Sequence, residues 1–120
     1  MFRVHLYQKK GLVSVMKLLH IIQKIVHGGA QRTLYNLVRN MPYFEHYILT
    51  YMINDEYKDM FAKIENAKLC LISSLLDYKK AIVQLDYDIV HYHWWPGLDV
   101  FGYYFSKKGI PVVLTLQEQC

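Results

Sequence analysis

The sequence predicts an α/β fold with a mainly parallel sheet and helices on both faces. Five apolar, strand-like runs alternate with helical patterns along the 120 residues, as is typical of consecutive βαβ units. Right-handed crossovers then favour the strand order 3-2-1-4-5, which puts the first and fourth runs side by side. The five runs cover residues 18–22, 47–51, 69–72, 88–92 and 112–116.

The first helix is predicted to begin at the pair Gly28-Gly29, soon after the first strand. Apolar residues then recur at the spacing of one helix face, so this face should pack against the sheet. Its members are Ala30, Leu34, Leu37, Val38 and Met41.

The other three helices follow polar or turn-forming residues that suit a helix start. The second begins near Asn54, the third follows Ser73-Ser74, and the fourth follows residues 96–97 and ends at Gly109. The apolar residues expected on the buried face are Tyr57, Met60, Phe61 and Ile64 in the second helix, Leu75, Tyr78, Ile82 and Leu85 in the third, and Leu98, Phe101 and Phe105 in the fourth.

The length allows one domain, formed by residues 16–120, with residues 1–15 as an N-terminal extension or an additional hairpin strand. No stretch approaches the roughly 20 apolar residues that span a bilayer. Polar residues interrupt positions 1–15, so we expect no signal peptide there. Cys70 and Cys120 lack the spacing of a disulfide scaffold or a metal site, which favours a reducing cytoplasm.

The net charge of +4 comes from lysines spread over the chain, with no basic run of the kind that binds nucleic acid. Solvated helix ends and loops are the favoured interpretation of these lysines. Attraction to an anionic membrane surface is the alternative, because such a surface attracts basic side chains. The predicted location is therefore the cytoplasm, with peripheral contact at the inner face of the membrane left open.

The small residues at the first strand-to-helix turn predict a phosphate site. Gly28 and Gly29 carry no Cβ, so a ligand oxygen can approach the backbone, and the free N–H groups of the first helical turn point at it. Arg32 lies in the same turn and is a candidate to add a charged contact. The alternative is a tight turn with Arg32 exposed on the helix, because the G-x-G-x-x-G dinucleotide pattern is incomplete.

A second candidate site follows the fourth strand-like run, where two histidines and two tryptophans precede a Pro-Gly pair. In an open parallel sheet, ligands bind beyond the carboxyl ends of the strands, so this segment and the glycine turn should face one crevice. We interpret His91 and His93 as pointing to opposite sides of the strand, which argues against a shared metal ion.

Four segments are informative together: residues 16–22 (MKLLHII), 28–32 (GGAQR), 87–93 (YDIVHYH) and 110–116 (IPVVLTL). In this order and spacing they resemble the amino-terminal domain of the family 4 retaining glycosyltransferases, and the resemblance covers residues 16–120. It implies a Rossmann-like domain that forms the amino-terminal, acceptor-side half of a GT-B fold. The implied enzyme moves a sugar from a nucleotide-sugar donor to a glycan or lipid-linked acceptor, as in polysaccharide biosynthesis.

The resemblance assigns the backbone of Gly28 and Gly29 to the donor diphosphate, with Arg32 nearby. His93 is the candidate for a hydrogen bond to a sugar hydroxyl, and Trp94 the candidate for stacking on a sugar ring or a polyprenyl chain. A buried histidine with satisfied hydrogen bonds and a tryptophan used in packing are the alternatives. We expect no cofactor and no metal ion.

The position after the last predicted strand departs from the family pattern. Gln117 stands where family members often carry a histidine that touches the donor sugar. Its amide donates and accepts hydrogen bonds but carries no proton. Glu118 is the adjacent polar candidate for sugar or acceptor binding, and no catalytic residue is assigned.

The family's nucleotide-binding carboxyl-terminal domain has no counterpart in these residues. The family's amino-terminal domain usually also continues further, so the resemblance implies that residues 16–120 are a truncated domain, incomplete at the carboxyl terminus. We therefore expect little or no activity from this domain alone and a carboxyl-terminal-domain partner for turnover. Two other interpretations remain open: a non-catalytic binding or recruiting subunit of a two-chain transferase, and a generic phosphate-binding α/β domain.

Overall fold

The computed structural model describes residues 5–6, 13–25, 29–93 and 99–115. The strands in this part of the chain are β1 (His5–Leu6), β2 (Val13–Ser14), β3 (Lys17–Ile21), β4 (Lys24–Ile25), β5 (Glu45–Thr50), β6 (Met52–Ile53), β7 (Ala67–Leu71), β8 (Ile89–His93) and β9 (Val112–Thr115). The helices are α1 (Gly29–Arg39), α2 (Asp55–Ala62), α3 (Leu75–Gln84) and α4 (Asp99–Lys108). No helix among these residues has the length and hydrophobicity needed to cross a membrane.

The central sheet has five parallel strands in the order β7-β5-β3-β8-β9. This confirms the predicted α/β class and the 3-2-1-4-5 order of its strands, consistent with a Rossmann-like fold. The register pairs Ile21 of β3 with Leu49 of β5 on one side and with Tyr92 of β8 on the other. Two small additional sheets pair β1 with β2 antiparallel and β4 with β6 parallel.

The two faces of the central sheet differ in chemistry. One, the apolar face, packs against residues of α3 and α4 and contains Leu19, Ile21, Leu49, Val90 and Tyr92. The other, the histidine face, has an apolar cluster with α1 and α2 but also carries the buried side chains of His20, His46, His91 and His93. Helices therefore cover both faces, as parallel sheets require.

The helix ends follow the predicted capping chemistry. The side chain of Asn54 accepts a hydrogen bond from the backbone N–H of Tyr57 at the start of α2, and Ser74 does the same for Asp77 in α3. Gly109 follows α4 with φ of 69°, a left-handed conformation that favours glycine. The sequence therefore predicted these boundaries to within a residue or two.

Two predicted core residues are exposed instead. The buried stripe of α1 consists of Leu34 and Val38, and Leu37 is rotated away from it with 36% of its surface exposed. Leu75 is 62% exposed because the buried face of α3 is set by Tyr78 and Ile82. The predicted core positions Ala30, Leu98 and Phe101 lie outside the described side chains.

Candidate functional site: a histidine chain at the switch point of the sheet

The topological switch point lies between β3 and β8. From β3 the chain passes through α1 to β5 on one side, and from β8 it passes through α4 to β9 on the other side. Open α/β sheets bind ligands at such a point, beyond the carboxyl ends of the strands. His93 is the last residue of β8 and lies at this end of the sheet.

His91 and His93 lie on the same side of β8, so the expectation that they point to opposite sides is wrong. Side chains alternate along a strand, and residues two positions apart therefore share a face. Their ring centroids are 4.5 Å apart, with the ring planes tilted by 57°. Both side chains are buried, with 7% and 4% of their surface exposed.

Three histidines are joined in a hydrogen-bond chain that crosses the histidine face diagonally. Nε2 of His46 lies 2.9 Å from the carbonyl oxygen of Met41, and Nδ1 of His46 lies 2.8 Å from Nε2 of His20. Nδ1 of His20 lies 3.0 Å from Nδ1 of His91, and Nε2 of His91 lies 2.7 Å from Oγ1 of Thr115. The chain thus runs from the amino end of β5, through β3 and β8, to the carboxyl end of β9.

The first bond sets the direction of the whole histidine chain. A carbonyl oxygen only accepts, so His46 must carry a proton on Nε2, and in the neutral ring this leaves Nδ1 as an acceptor for the Nε2–H of His20. His20 then accepts at Nδ1 from the Nδ1–H of His91. His91 in turn accepts at Nε2 from the hydroxyl of Thr115.

Each neutral ring in this chain therefore donates once and accepts once. Burial, together with the neighbouring histidines, holds the pKa of His20 well below its usual range. Burial also lowers the pKa of His46, against the opposing effect of its bond to the Met41 carbonyl, and it lowers the pKa of His91. Burial thus favours the neutral forms from which this direction of the chain follows.

His93 is not part of this hydrogen-bond chain. Neither ring nitrogen has a hydrogen-bond partner among the described residues, although the side chain is almost fully buried. Burial and, secondarily, the charge that His91 would carry lower the pKa of His93 to about 4. At neutral pH the ring thus offers one N–H donor and one acceptor nitrogen.

The start of α1 is open. Gly29 and Arg32 are exposed, and the first turn contains no acidic side chain. The side-chain amide of Gln31 donates to the backbone carbonyl of Lys24 at 2.9 Å, which ties the helix start to β4. By contrast, the first turn of α2 contains Asp55 and Glu56.

Four of the predicted site residues lie outside the described part of the chain. They are Gly28, Trp94, Gln117 and Glu118. Their roles, and the convergence of the glycine turn with the tryptophans, stay predictions.

Sequence reasoning missed His20, His46 and Thr115 as members of the site. His20 interrupts an otherwise apolar strand and His46 begins the next one, which is the available sequence signal. Only the strand order and register bring these side chains together, because the bonded pairs are 24, 26 and 71 positions apart along the chain.

Three of the four buried histidines that the structure describes, His20, His46 and His91, use both ring nitrogens in hydrogen bonds. Within residues 5–6, 13–25, 29–93 and 99–115, no group of three or more His, Cys, Asp or Glu side chains is arranged to hold a metal ion.

A surface pocket of about 410 Å³ lies at the opposite, amino-terminal ends of β5 and β7, lined in part by Glu45, Glu65 and Lys68.

No protein-family model, curated protein or solved structure matches the chain. The case for a function therefore depends on the sequence resemblance and on the geometry of the residues themselves.

Proposed function

We propose that this chain is the acceptor-side, Rossmann-like domain of a retaining glycosyltransferase. In this proposal it works with a donor-binding domain or partner chain to move a sugar from a nucleotide sugar to a glycan or lipid-linked acceptor. The observation that carries the proposal is His93, a buried and neutral histidine with two unpaired ring nitrogens at the carboxyl end of β8.

A neutral imidazole suits a sugar hydroxyl because both groups donate one hydrogen bond and accept another. Leaving the His93 nitrogens unpaired in the protein interior costs stability, typically about 1–3 kcal/mol per buried group. A ligand hydroxyl that pairs with the ring would recover part of that cost. This is the expected signature of a binding residue rather than a packing residue.

The open start of α1 supports the donor side of the proposal. Backbone N–H groups at a helix start attract phosphate, and a first turn without carboxylates does not compete with it. In our proposal the exposed Arg32 adds a charged contact to the donor diphosphate, a group whose negative charge grows as the sugar leaves.

Binding to the full chain tests this proposal. Nuclear magnetic resonance (NMR) titration with a panel of nucleoside-diphosphate sugars should shift the backbone amide of Gly29 and the ring signals of His93 together. Arg32→Gln should weaken binding about tenfold, because a charge-assisted hydrogen bond is lost. Arg39→Gln, at the other end of the same helix, is the matched control and should bind normally.

The same titration separates the alternatives. Equal binding of unrelated phosphates would favour a generic phosphate-binding domain. Absence of binding by every sugar nucleotide would contradict the proposal, as would shifts at Gly29 with none at His93.

A recruiting subunit of a two-chain transferase is the second candidate, favoured by the edge strand β9. Val112, Val113 and Leu114 are 44%, 53% and 50% exposed, so apolar side chains on both faces of this strand are open to solvent. Exposed apolar edge strands favour pairing with another chain. Val113→Lys should abolish co-purification with a donor-binding α/β chain if this role is correct, and should leave sugar-nucleotide binding unchanged.

A further inference from the structure

The direction of the histidine chain has a consequence for Thr115. Its hydroxyl donates its hydrogen to Nε2 of His91. That nitrogen is an acceptor because the bond between His46 and the Met41 carbonyl sets the tautomers along the chain of neutral rings. Toward any other partner, Thr115 Oγ1 offers lone pairs alone. Thr115 is partly exposed, and the strand register places it directly beside His93.

We propose that Thr115 and His93 together form a subsite for a neutral hydroxyl group, in which the chain of His46, His20 and His91 makes Thr115 an obligatory acceptor. This subsite rests on the proposed function and specifies its ligand as a polyol hydroxyl rather than an anionic oxygen. Thr115 is then a specificity-determining residue, and His20 and His46 are positioning residues that act through His91.

Hydrogen-bond polarity provides the selectivity. A hydroxyl can donate its hydrogen to Thr115 Oγ1 while a second hydroxyl, or its own oxygen, pairs with His93. A carboxylate or sulfate oxygen is an acceptor only, so it would face the lone pairs of Thr115 without a hydrogen between them. An acceptor-only ligand would therefore lose this contact and leave a polar group unpaired.

The location agrees with this role. Thr115 ends β9 and His93 ends β8, so both lie at the carboxyl edge where parallel sheets bind ligands. The anion-attracting start of α1 belongs to a different part of the same edge, after β3. A molecule with a phosphate and a polyol could thus use the two chemistries separately.

NMR titration of the full chain with glucose, and separately with sulfate, tests the subsite. We expect glucose to shift the signals of Thr115 and the ring nitrogens of His93, and sulfate to leave them unmoved. Thr115→Val should weaken glucose binding about tenfold, whereas Thr115→Ser, which keeps the hydroxyl, should bind like the unsubstituted chain.

Thr50→Val is the matched control. Thr50 is a buried threonine on the same face, in β5, two strands from β8 and three from β9, and its hydroxyl donates to the backbone carbonyl of Gln23. This variant should lose stability but retain glucose binding, which separates loss of a contact from loss of fold.

Four results would overturn the subsite: no shift with glucose, equal glucose binding by Thr115→Val, failure of Thr115→Ser to bind glucose, or sulfate competing with glucose at Thr115. Glucose binding without any sugar-nucleotide binding would uphold the hydroxyl subsite and reject the transferase. The two proposals therefore fail separately.

Discussion

The two faces of the central sheet are built from the same strands but by different chemistry. On the apolar face, Leu19, Ile21 and Val90 are fully buried and interact through shape and apolar area alone. On the histidine face, the same strands carry the buried His20 and His91, joined by a directional hydrogen bond.

We infer from this difference that the histidine face has a role beyond folding. Apolar side chains would stabilise both faces, and burying polar rings is costly unless each nitrogen is paired. Every ring nitrogen of His46, His20 and His91 has a hydrogen-bond partner, whereas neither ring nitrogen of His93 has one among the described residues. We infer that the paired rings are support and that His93 is the position left for a ligand.

Acidification should have the largest effect, and it should act through the histidine face. The pKa of His93 is about 4 in the folded chain, compared with about 6.5 when unfolded. Between these values the unfolded state binds protons that the folded state does not, so stability falls as the pH falls. His93 alone accounts for a loss of about 3 kcal/mol by pH 4, and the other buried histidines add to it in the same direction.

Urea unfolding measured at intervals from about pH 8 to pH 4 checks this prediction. A free energy of unfolding that stays constant through the range just below the usual histidine pKa would show that these rings are not buried as neutral groups.

On the apolar face, Leu19→Ala should remove about 3 kcal/mol of stability, through lost burial and the cavity left behind. Since no titrating group is changed, the loss should be the same at neutral and acid pH. Urea unfolding at both values measures it. A loss that depends strongly on pH would mean that the two faces are not independent.

His20→Leu replaces the central link of the histidine chain by an apolar side chain of similar size. His46 and His91 each lose a partner, and we expect a net loss of about 2 kcal/mol at neutral pH. The variant also removes one buried group that resists protonation, so its stability should fall less steeply on acidification. The measurement compares how steeply the free energy of unfolding falls with pH in the variant and in the unsubstituted chain. Equal slopes in the two proteins would contradict a neutral, buried His20.

Asn54→Ala should have the smallest effect. It removes the side-chain cap of α2, a helix that packs on the histidine face, and should cost about 1 kcal/mol. The free energy of unfolding of this variant should depend on pH in the same way as that of the unsubstituted chain, because no histidine contact changes. A steeper slope would show that acid sensitivity follows loss of packing rather than the histidines themselves.

The fold was largely predictable because its signals are local. The five strand runs, the caps at Asn54 and Ser74, and the glycine at position 109 each follow from a few neighbouring residues. Burial of individual side chains was less certain, as Leu37 shows, because one step along a helix rotates a side chain out of the core. The histidine chain depends on the register between strands and on which face of its strand each side chain occupies. The sequence analysis places His91 and His93 on opposite faces of β8, whereas in the structure they share one face.

The protonation sites of the three chain histidines test the central claim most directly. Nitrogen-15 NMR of the histidine side chains at neutral pH distinguishes the two neutral tautomers and the charged form. The structure predicts neutral rings with the proton on Nε2 of His46, Nε2 of His20 and Nδ1 of His91. A proton on Nε2 of neutral His91, or a charged ring at any of the three positions, would contradict the directional chain and the acceptor role of Thr115.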